Sequence, residues 1–233
     1  MSSTRPPAPE SLRRRPARRG FTLIELLSVV LVIAVLASLL LAAGSRPLAA
    51  ARGIVCRHHL RQWGIATQSY AHEHEDRLPP EGFPNPGERH TNQGWYIQLP
   101  PEIGAPRYHD QPWRTNPAVS LDRSLWLCPA NRRRSNGNNL FHYCLNQHVD
   151  GTRADEYPAR LGEIPHPSLT VWLFDTKNLP GVGSWNLAHT NLHARGAHFL
   201  CLDGHVEHVP SEDYWDFVAG RARTNGTRLR WIP

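Results

Sequence analysis

The hydrophobic pattern near the start of the chain predicts one long apolar helix. An unbroken run of apolar or small residues extends from Leu26 to Ala43, and one carboxylate, Glu25, stands immediately before it. As an α-helix, the segment from Phe21 to Ala43 would be roughly 35 Å long, which is enough to cross the hydrocarbon core of a bilayer. We therefore predict a membrane-spanning helix over residues 21–44.

A second helical pattern follows Gly44-Ser45-Arg46-Pro47, a sequence that predicts a kink at the membrane interface. Apolar and small residues recur at spacings of four and three and form one face, which comprises Cys56, Leu60, Trp63, Thr67 and Tyr70. Arg57 and Arg61 lie on the opposite face, and the helix should end before Leu78-Pro79-Pro80. Residues 45–76 are thus predicted to continue the first helix as an amphipathic segment packed on a domain.

Residues 77–233 are predicted to form a loop-rich β domain. Pro, Gly and Asn recur from Pro79 to about Asn139, where no regular element is predicted. Residues rich in aromatic and β-branched side chains then predict four strands, at Phe141–Asn146, Leu169–Phe174, 197–202 and 205–209. The expected fold class is α+β, with the long N-terminal helix packed on an antiparallel sheet.

The Asp203-Gly204 pair between the last two strands predicts a two-residue hairpin turn of type I′. Such a turn would place Cys201 opposite Val206 and Phe199 opposite His208. These four residues would then share the face of the hairpin that is directed to the core.

Charge is concentrated in residues 1–20, which contain six Arg and one Glu. They supply five of the six net positive charges of the chain, so the remainder is nearly neutral. The basic pI of about 9.5 therefore gives no reason to expect nucleic-acid binding by residues 21–233. A basic segment before an apolar helix is typical of retention on the cytoplasmic side of a membrane.

Two ordinary export signals fit this N-terminus poorly. A secretory signal could be cut at Ala-x-Ala-like sites between Ala42 and Ala51, and Arg18-Arg19 is similar to a twin-arginine signal. The apolar run is longer than the usual secretory segment of about 7–15 residues, and Glu25 would be an unexplained charge inside it.

Gly20, Phe21 and Glu25 instead stand at the spacing of the prepilin signal, and the segment resembles that of type IV pilins and type II secretion pseudopilins. The resemblance implies a pilin-like fold and a leader peptide of residues 1–20. A prepilin peptidase would remove this leader by cleavage between Gly20 and Phe21, and N-methylation of Phe21 would follow. The resemblance also implies a role for Glu25 in assembly. Its carboxylate would pair with the Phe21 ammonium of a neighbouring subunit, which would relieve the cost of burying both charges.

A second resemblance extends over most of residues 20–209. His193, followed by nine residues and Asp203-Gly204, resembles the His-x9-Asp-Gly segment of a large group of prepilin-like proteins. The segment Cys56–Gly64 is similar to a helix of that group, with His59 in place of the usual Asn. Leu127-Cys128-Pro129 resembles the group's Cys-Pro step, and Val171–Asp175 resembles its strand that ends in Asp. The resemblance implies localisation and architecture more than a chemical activity.

The four cysteines are Cys56, Cys128, Cys144 and Cys201. In an exported domain they could form two disulfides, in any of three connectivities, or remain as small buried thiols. The absence of a Cys-x-x-Cys sequence argues against a zinc ribbon. The second resemblance favours a disulfide between Cys56 and Cys128, and Cys144 and Cys201 could then pair if their strands are neighbours.

The fourteen histidines all follow residue 20 and raise the question of a metal. His193 could converge with His205 and the carboxylates of Asp175 and Asp203, and His189 stands four residues before His193. The alternative is structural, with His193 hydrogen-bonded to nearby backbone and Asp203 forming the turn. We favour the structural alternative, and we expect no metal and no cofactor.

The sequence therefore predicts a structural subunit rather than an enzyme, because it contains neither a His-Glu-x-x-His nor a Gly-x-Ser-x-Gly sequence. The subunit is expected in the inner membrane, with its C-terminal domain periplasmic or extracellular. Its partners would be the prepilin peptidase and other pilin or pseudopilin subunits, in a pilus or a type II secretion pseudopilus. One alternative is a minor or tip pilin that binds glycan, DNA or a secreted protein. Another is a periplasmic metal-dependent enzyme on a pilin-type anchor.

Overall fold

The computed structural model describes most of the chain after the predicted leader. Gly20 and the rest of residues 1–20 lie outside the described residues, as do residues 44–45 at the predicted kink. The described residues separate into two compact units, with the division between Ser45 and Arg46. The described ranges are 21–43, 46–82, 94–114, 116, 124–133, 140–149, 160–177 and 181–233.

The first unit contains a helix, α1 (Leu23–Ala43). Its described side chains, up to Leu39, are all exposed, although most of them are apolar. Across the residues that the structure describes, no helix is both long and apolar enough to cross a membrane. The transmembrane assignment of residues 21–44 thus stays a prediction.

The second unit begins with α2 (Arg46–Glu73), and its buried face is the one that the periodicity predicts. Arg57 and Arg61 on the other side are exposed, and α2 ends before Leu78 as expected. The buried residues of the face are Cys56, Leu60, Trp63, Thr67 and Tyr70. A short helix, α3 (Trp95–Glu102), follows in the stretch where no element was predicted. Pro100 and Pro101 lie in its last turn. Because proline disfavours the interior of a helix, no helix was predicted here.

Five strands form one sheet in the order β3-β1-β2-β4-β5. The strands are β1 (Tyr143–Asn146), β2 (Val171–Asp175), β3 (Val182–Gly183), β4 (Gly196–Cys201) and β5 (Val206–Pro210). Strand β3 pairs in parallel with β1, whereas the other pairs are antiparallel. The predicted antiparallel sheet is therefore wrong, and the sheet is mixed. Strand β3 lies beside β1, on the side away from β2, and runs in the same direction as β1.

Different elements cover the two faces of this sheet. On one face, α2 packs against β4 and β5, and Trp172 of β2 donates an indole N–H to Oγ1 of Thr67 at 2.9 Å. On the other face, Phe174 and Phe199 pack against Trp231 near the C-terminus. The C-terminal segment also contains α4 (Ser211–Tyr214) and the strand pair β6 (Trp215–Asp216) and β7 (Arg221–Ala222).

The eight tryptophans contribute mainly to the core. Trp113 and Trp185 are half-buried, and the others are buried: Trp63, Trp95, Trp126, Trp172, Trp215 and Trp231. Trp63, Trp95 and Trp126 contact one another where the loops meet α2. Indole rings placed in this way fill the interior of a domain whose connecting segments are long.

The hairpin between β4 and β5 differs from the prediction by one residue. The Gly204 N–H donates to the Cys201 carbonyl at 2.9 Å, so Leu202 and Asp203 are the central turn residues and Gly204 follows them at a φ of 90°. Leu200 consequently pairs with Val206, and Phe199 pairs with Glu207. The predicted pairs of Cys201 with Val206 and Phe199 with His208 are therefore wrong, because the loop has three residues rather than two. Leu200 and Val206 belong to the core on the α2 side.

Candidate functional site

A tight turn before β4 positions His193. The N–H of Gly196 donates to the His193 carbonyl at 2.8 Å, and both central residues, Ala194 and Arg195, have positive φ, of 42° and 63°. A Cβ at position 196 would lie 2.2 Å from the carbonyl oxygen of Val209, so only glycine fits there. The turn places Nδ1 of His193 beside Gly53 of α2, where an added Cβ would lie 3.5 Å from it.

Asp175, at the end of β2, meets two histidines in the interior. Its Oδ2 atom accepts the backbone N–H of His198 at 2.8 Å. The same oxygen lies 3.4 Å from Nε2 of His193 and 3.5 Å from Nδ1 of His198. Asp175 is completely buried, and His193 and His198 are 6% and 2% exposed. We call these three residues the Asp175 cluster.

Two buried atoms of the Asp175 cluster, Oδ1 of Asp175 and Nδ1 of His198, have no hydrogen-bond partner among the residues that the structure describes. Burial lowers the pKa of His193 to about 4, although the Asp175 carboxylate acts in the opposite direction. His193 is therefore neutral at pH 7. One of its ring nitrogens then carries a lone pair that can bind a metal ion or accept a hydrogen bond.

The Asp175 cluster borders an open cleft of about 630 Å³ between the start of α2 and the sheet. His193, His198 and His208 line the cleft, together with apolar residues of α2. Nε2 of His208 lies 2.7 Å from the His193 carbonyl, so this third histidine also holds the turn before β4. Three arginines, Arg52, Arg57 and Arg132, also line the cleft and give it a positive charge.

The other predicted metal candidates do not join the Asp175 cluster. Asp203 and His205 lie beyond the opposite end of β4, where they contact each other at 2.6 Å in an exposed position. An extended strand separates the two ends of the His-x9-Asp-Gly segment, so His193 and Asp203 cannot converge. Nδ1 of His189 instead accepts the N–H of Asn191 at 3.2 Å.

The sequence-based reasoning missed His198 and His208. Both were treated as ordinary strand residues, although they form a cross-strand pair on β4 and β5. The observed register places His208 opposite His198. Strand alternation puts His198 on the same side of β4 as Leu200, toward α2. The predicted register placed Phe199 opposite His208, so this pair of histidines was not recognised from the sequence.

The cysteines behave differently in the two predicted pairs. Cys56 of α2 and Cys128 form a disulfide, as the second resemblance implied. Cys144 and Cys201 remain free and buried. Their strands, β1 and β4, are separated by β2, so the condition for a second disulfide is not met. Burial raises the pKa of the Cys201 thiol to about 12, and that of Cys144 also rises, so both thiols are protonated.

At the N-terminus, Glu25 takes part in a capping box with Thr22. Its Oε2 accepts the backbone N–H of Thr22 at 2.8 Å and the hydroxyl of Thr22 at 2.7 Å. The Glu25 N–H donates in return to Oγ1 of Thr22 at 3.3 Å. This reciprocal arrangement satisfies free donors at the start of α1. Glu25 thus has a local structural role in the single chain, which the sequence reasoning did not anticipate.

Comparison with known families assigns the chain. A family model described as "Prokaryotic N-terminal methylation motif" matches residues 15–41. A second model, described as "Protein of unknown function (DUF1559)", matches residues 48–166, just over half of the chain. The chain belongs to this family. The two matches together identify a type IV pilin-like or pseudopilin-like protein with a prepilin-type N-terminus, as predicted. No curated protein and no solved structure matches the chain.

Proposed function

We propose that this protein is a structural subunit that a prepilin peptidase cleaves after Gly20 and methylates on Phe21. The subunit would then assemble with other pilin-type subunits into a pilus or a type II secretion pseudopilus. The observation that carries the proposal is the match of residues 15–41 to the methylation motif, which includes Gly20, Phe21 and Glu25.

The exposure of α1 supports assembly. Its side chains are apolar on all sides of the helix, and those from Leu26 to Leu36 are about half exposed or more. A helix that is apolar on all sides requires a partner or lipid to cover it. The lipid of the inner membrane and the anchor helices of neighbouring subunits would provide this cover.

Glu25 supplies a specific contact for the same assembly. Its carboxylate is exposed, and its contacts with Thr22 leave it at the surface of the helix. Cleavage after Gly20 creates an ammonium on Phe21, which stays cationic after one methylation. In a packed bundle of anchors, the Glu25 carboxylate would pair with the Phe21 ammonium of a neighbour, and the pair would fix the axial register of the subunits.

The location of the aromatic residues favours a structural role over glycan capture. Glycan-binding proteins use exposed aromatic rings, whereas six of the eight tryptophans here are buried. We also propose that the protein is not an enzyme, since the sequence contains neither a His-Glu-x-x-His nor a Gly-x-Ser-x-Gly motif.

The processing step can be tested by intact-mass measurement of the full-length protein, expressed with and without a prepilin peptidase. We expect the peptidase to yield a chain that begins with N-methyl-Phe21. A Gly20→Val variant should remain uncut and serves as the control. A mature chain that begins near Ser45 or Ala51 would contradict the proposal and would indicate a secretory signal.

A further inference from the structure

We propose that Asp175, His193 and His198 bind one divalent transition-metal ion, for which zinc is the appropriate probe. This site lies in the second compact unit and is independent of the proposed processing of the N-terminus. Three observations support this site: the spacing of the three ligand atoms, two buried atoms of the cluster that have no hydrogen-bond partner among the described residues, and the access of both histidines to the cleft.

The spacing fits a tetrahedral ion. Zinc binds imidazole nitrogen and carboxylate oxygen at about 2.0–2.1 Å, so two ligands of a tetrahedral ion lie roughly 3.3–3.4 Å apart. Oδ2 of Asp175 lies 3.4 Å from Nε2 of His193 and 3.5 Å from Nδ1 of His198. The three ligand atoms all lie within 4.8 Å of one another. An ion therefore needs only small side-chain shifts to bind all three residues.

The hydrogen-bonding state of the Asp175 cluster also favours an ion. A buried polar atom normally has a partner, yet within the described part of the chain Oδ1 of Asp175 and Nδ1 of His198 have none. A bound cation would provide a partner for Nδ1 of His198 and would neutralise the buried carboxylate. The backbone N–H of His198 donates to Oδ2 at 2.8 Å. This hydrogen bond would fix the orientation of the carboxylate that binds the ion.

The cleft gives the site an entrance and a further ligand. His193 and His198 both line the cleft, so an ion can reach them from solvent. Three protein ligands leave a position free for water or for a group that enters from the cleft. Arg52, Arg57 and Arg132 line the same cleft, and their charges favour an anion such as a carboxylate in that position.

The disulfide determines which ligand set is available. Cys56, Cys128 and His193 form a second group with ligand spacing, because Sγ of Cys128 lies 3.3 Å from Nε2 of His193. Thiolates are the sulfur ligands of zinc, and the disulfide removes both of them. In the oxidised protein, His193 is thus left to the Asp175 cluster.

The first experiment uses the oxidised full-length chain, purified in detergent, freed of metal with EDTA and then titrated with zinc. We expect saturable binding of one zinc per chain and a rise in Tm with zinc concentration, since a ligand that binds only the folded state stabilises it. A protein that shows no saturable binding and no change in Tm would overturn the proposal. This measurement needs no variant, so a folding defect cannot obscure it.

Variants then assign the ligands. Asp175→Asn retains an oxygen that can accept the His198 N–H but loses the carboxylate charge, and His193→Gln loses an imidazole. We expect each to weaken zinc binding at least tenfold. His205→Gln is the matched control, because this histidine lies at the exposed hairpin, away from the proposed site. The His205→Gln protein should bind zinc with wild-type affinity. Equal zinc affinity in Asp175→Asn and His205→Gln, with both folded by near-UV circular dichroism, would overturn the assignment.

Cobalt distinguishes the two ligand sets directly. Co²⁺ bound to one carboxylate and two imidazoles should show visible ligand-field absorption without a thiolate charge-transfer band. A thiolate band would place the ion on Cys56 and Cys128 and would overturn the proposed site. The Cys56→Ala/Cys128→Ala double variant, at a temperature where near-UV circular dichroism shows it folded, should therefore give the same cobalt spectrum as wild type.

Discussion

Sγ of Cys128 lies 3.3 Å from Nε2 of His193, so the disulfide touches the turn that precedes β4. Cys128 is joined to Cys56 of α2, and His193 is within reach of the Asp175 carboxylate. The disulfide thereby connects the long amphipathic helix to the Asp175 cluster. Three segments that are far apart in the sequence thus depend on one another at this point.

Removal of the disulfide should destabilise the second compact unit. The bond closes a loop with a sequence separation of 72 residues, for which the chain-entropy model gives about 4 kcal/mol. We expect the Cys56→Ala/Cys128→Ala variant to lose stability of this order in denaturant unfolding followed by tryptophan fluorescence. Cys144→Ala is the matched control for the loss of a buried sulfur without loss of a bond. A double variant no less stable than Cys144→Ala would contradict this expectation.

Variants at position 25 should separate the two roles of Glu25. Glu25→Gln keeps a side-chain oxygen that can accept from Thr22, but it removes the charge, whereas Glu25→Ala removes both. We expect both variants to insert into membranes, and both to lose cross-linked oligomers, because the Phe21 ammonium has no anionic partner. Thr22→Val, which removes the hydroxyl of the capping box and keeps the charge, should still assemble. Wild-type oligomers in Glu25→Gln would show that the charge is not needed.

Gly204 should tolerate substitution poorly because of its backbone alone. Its φ is 90°, and an added Cβ would meet nothing within 4 Å, so any cost comes from the left-handed conformation and not from a clash. We expect Gly204→Ala to destabilise the protein by about 1–2 kcal/mol and Gly204→Val by at least as much. Gly226→Ala is the control, since its Cβ would make only ordinary contacts and its φ lies outside the left-handed region. Equal thermal stability of the two alanine variants would contradict this account.

His59 should make the protein sensitive to acid. Burial lowers the pKa of His59 to about 4, and its Nδ1 lies 3.2 Å from the hydroxyl of Tyr143. The unfolded chain takes up a proton near pH 6.5 and the folded chain only near pH 4, so stability is lost as the pH falls through this window. The slope for one proton is about 1.4 kcal/mol per pH unit.

Denaturant unfolding at several pH values tests this dependence on His59. In the His59→Asn variant, the loss of stability between pH 6.5 and pH 4 should be smaller by up to about 3 kcal/mol. His72→Asn, at an exposed position of the same helix, should keep the wild-type pH dependence. A His59→Asn variant with an unchanged slope would show that another group titrates in this range.

The local features of the protein follow from the sequence. Cys56, Leu60 and Trp63 recur at helical spacing, and this spacing determines the buried face of α2 because helix geometry depends on neighbouring residues only. Strands β1, β2, β4 and β5 follow likewise from aromatic and β-branched segments. The N-terminal motif was also recognisable, because its residues are contiguous and their meaning depends on their spacing alone.

Tertiary structure determined the features that depend on distant contacts. The two-residue strand β3 has no pattern of its own and exists because it pairs with β1. The hairpin register differs by one residue from the prediction, and this places His208 opposite His198. Asp175, His193 and His198 meet because β2 and β4 are neighbours, while Asp203 is kept away by the length of β4. Sequence spacing cannot give such distances, since they depend on which strands pair and in which register.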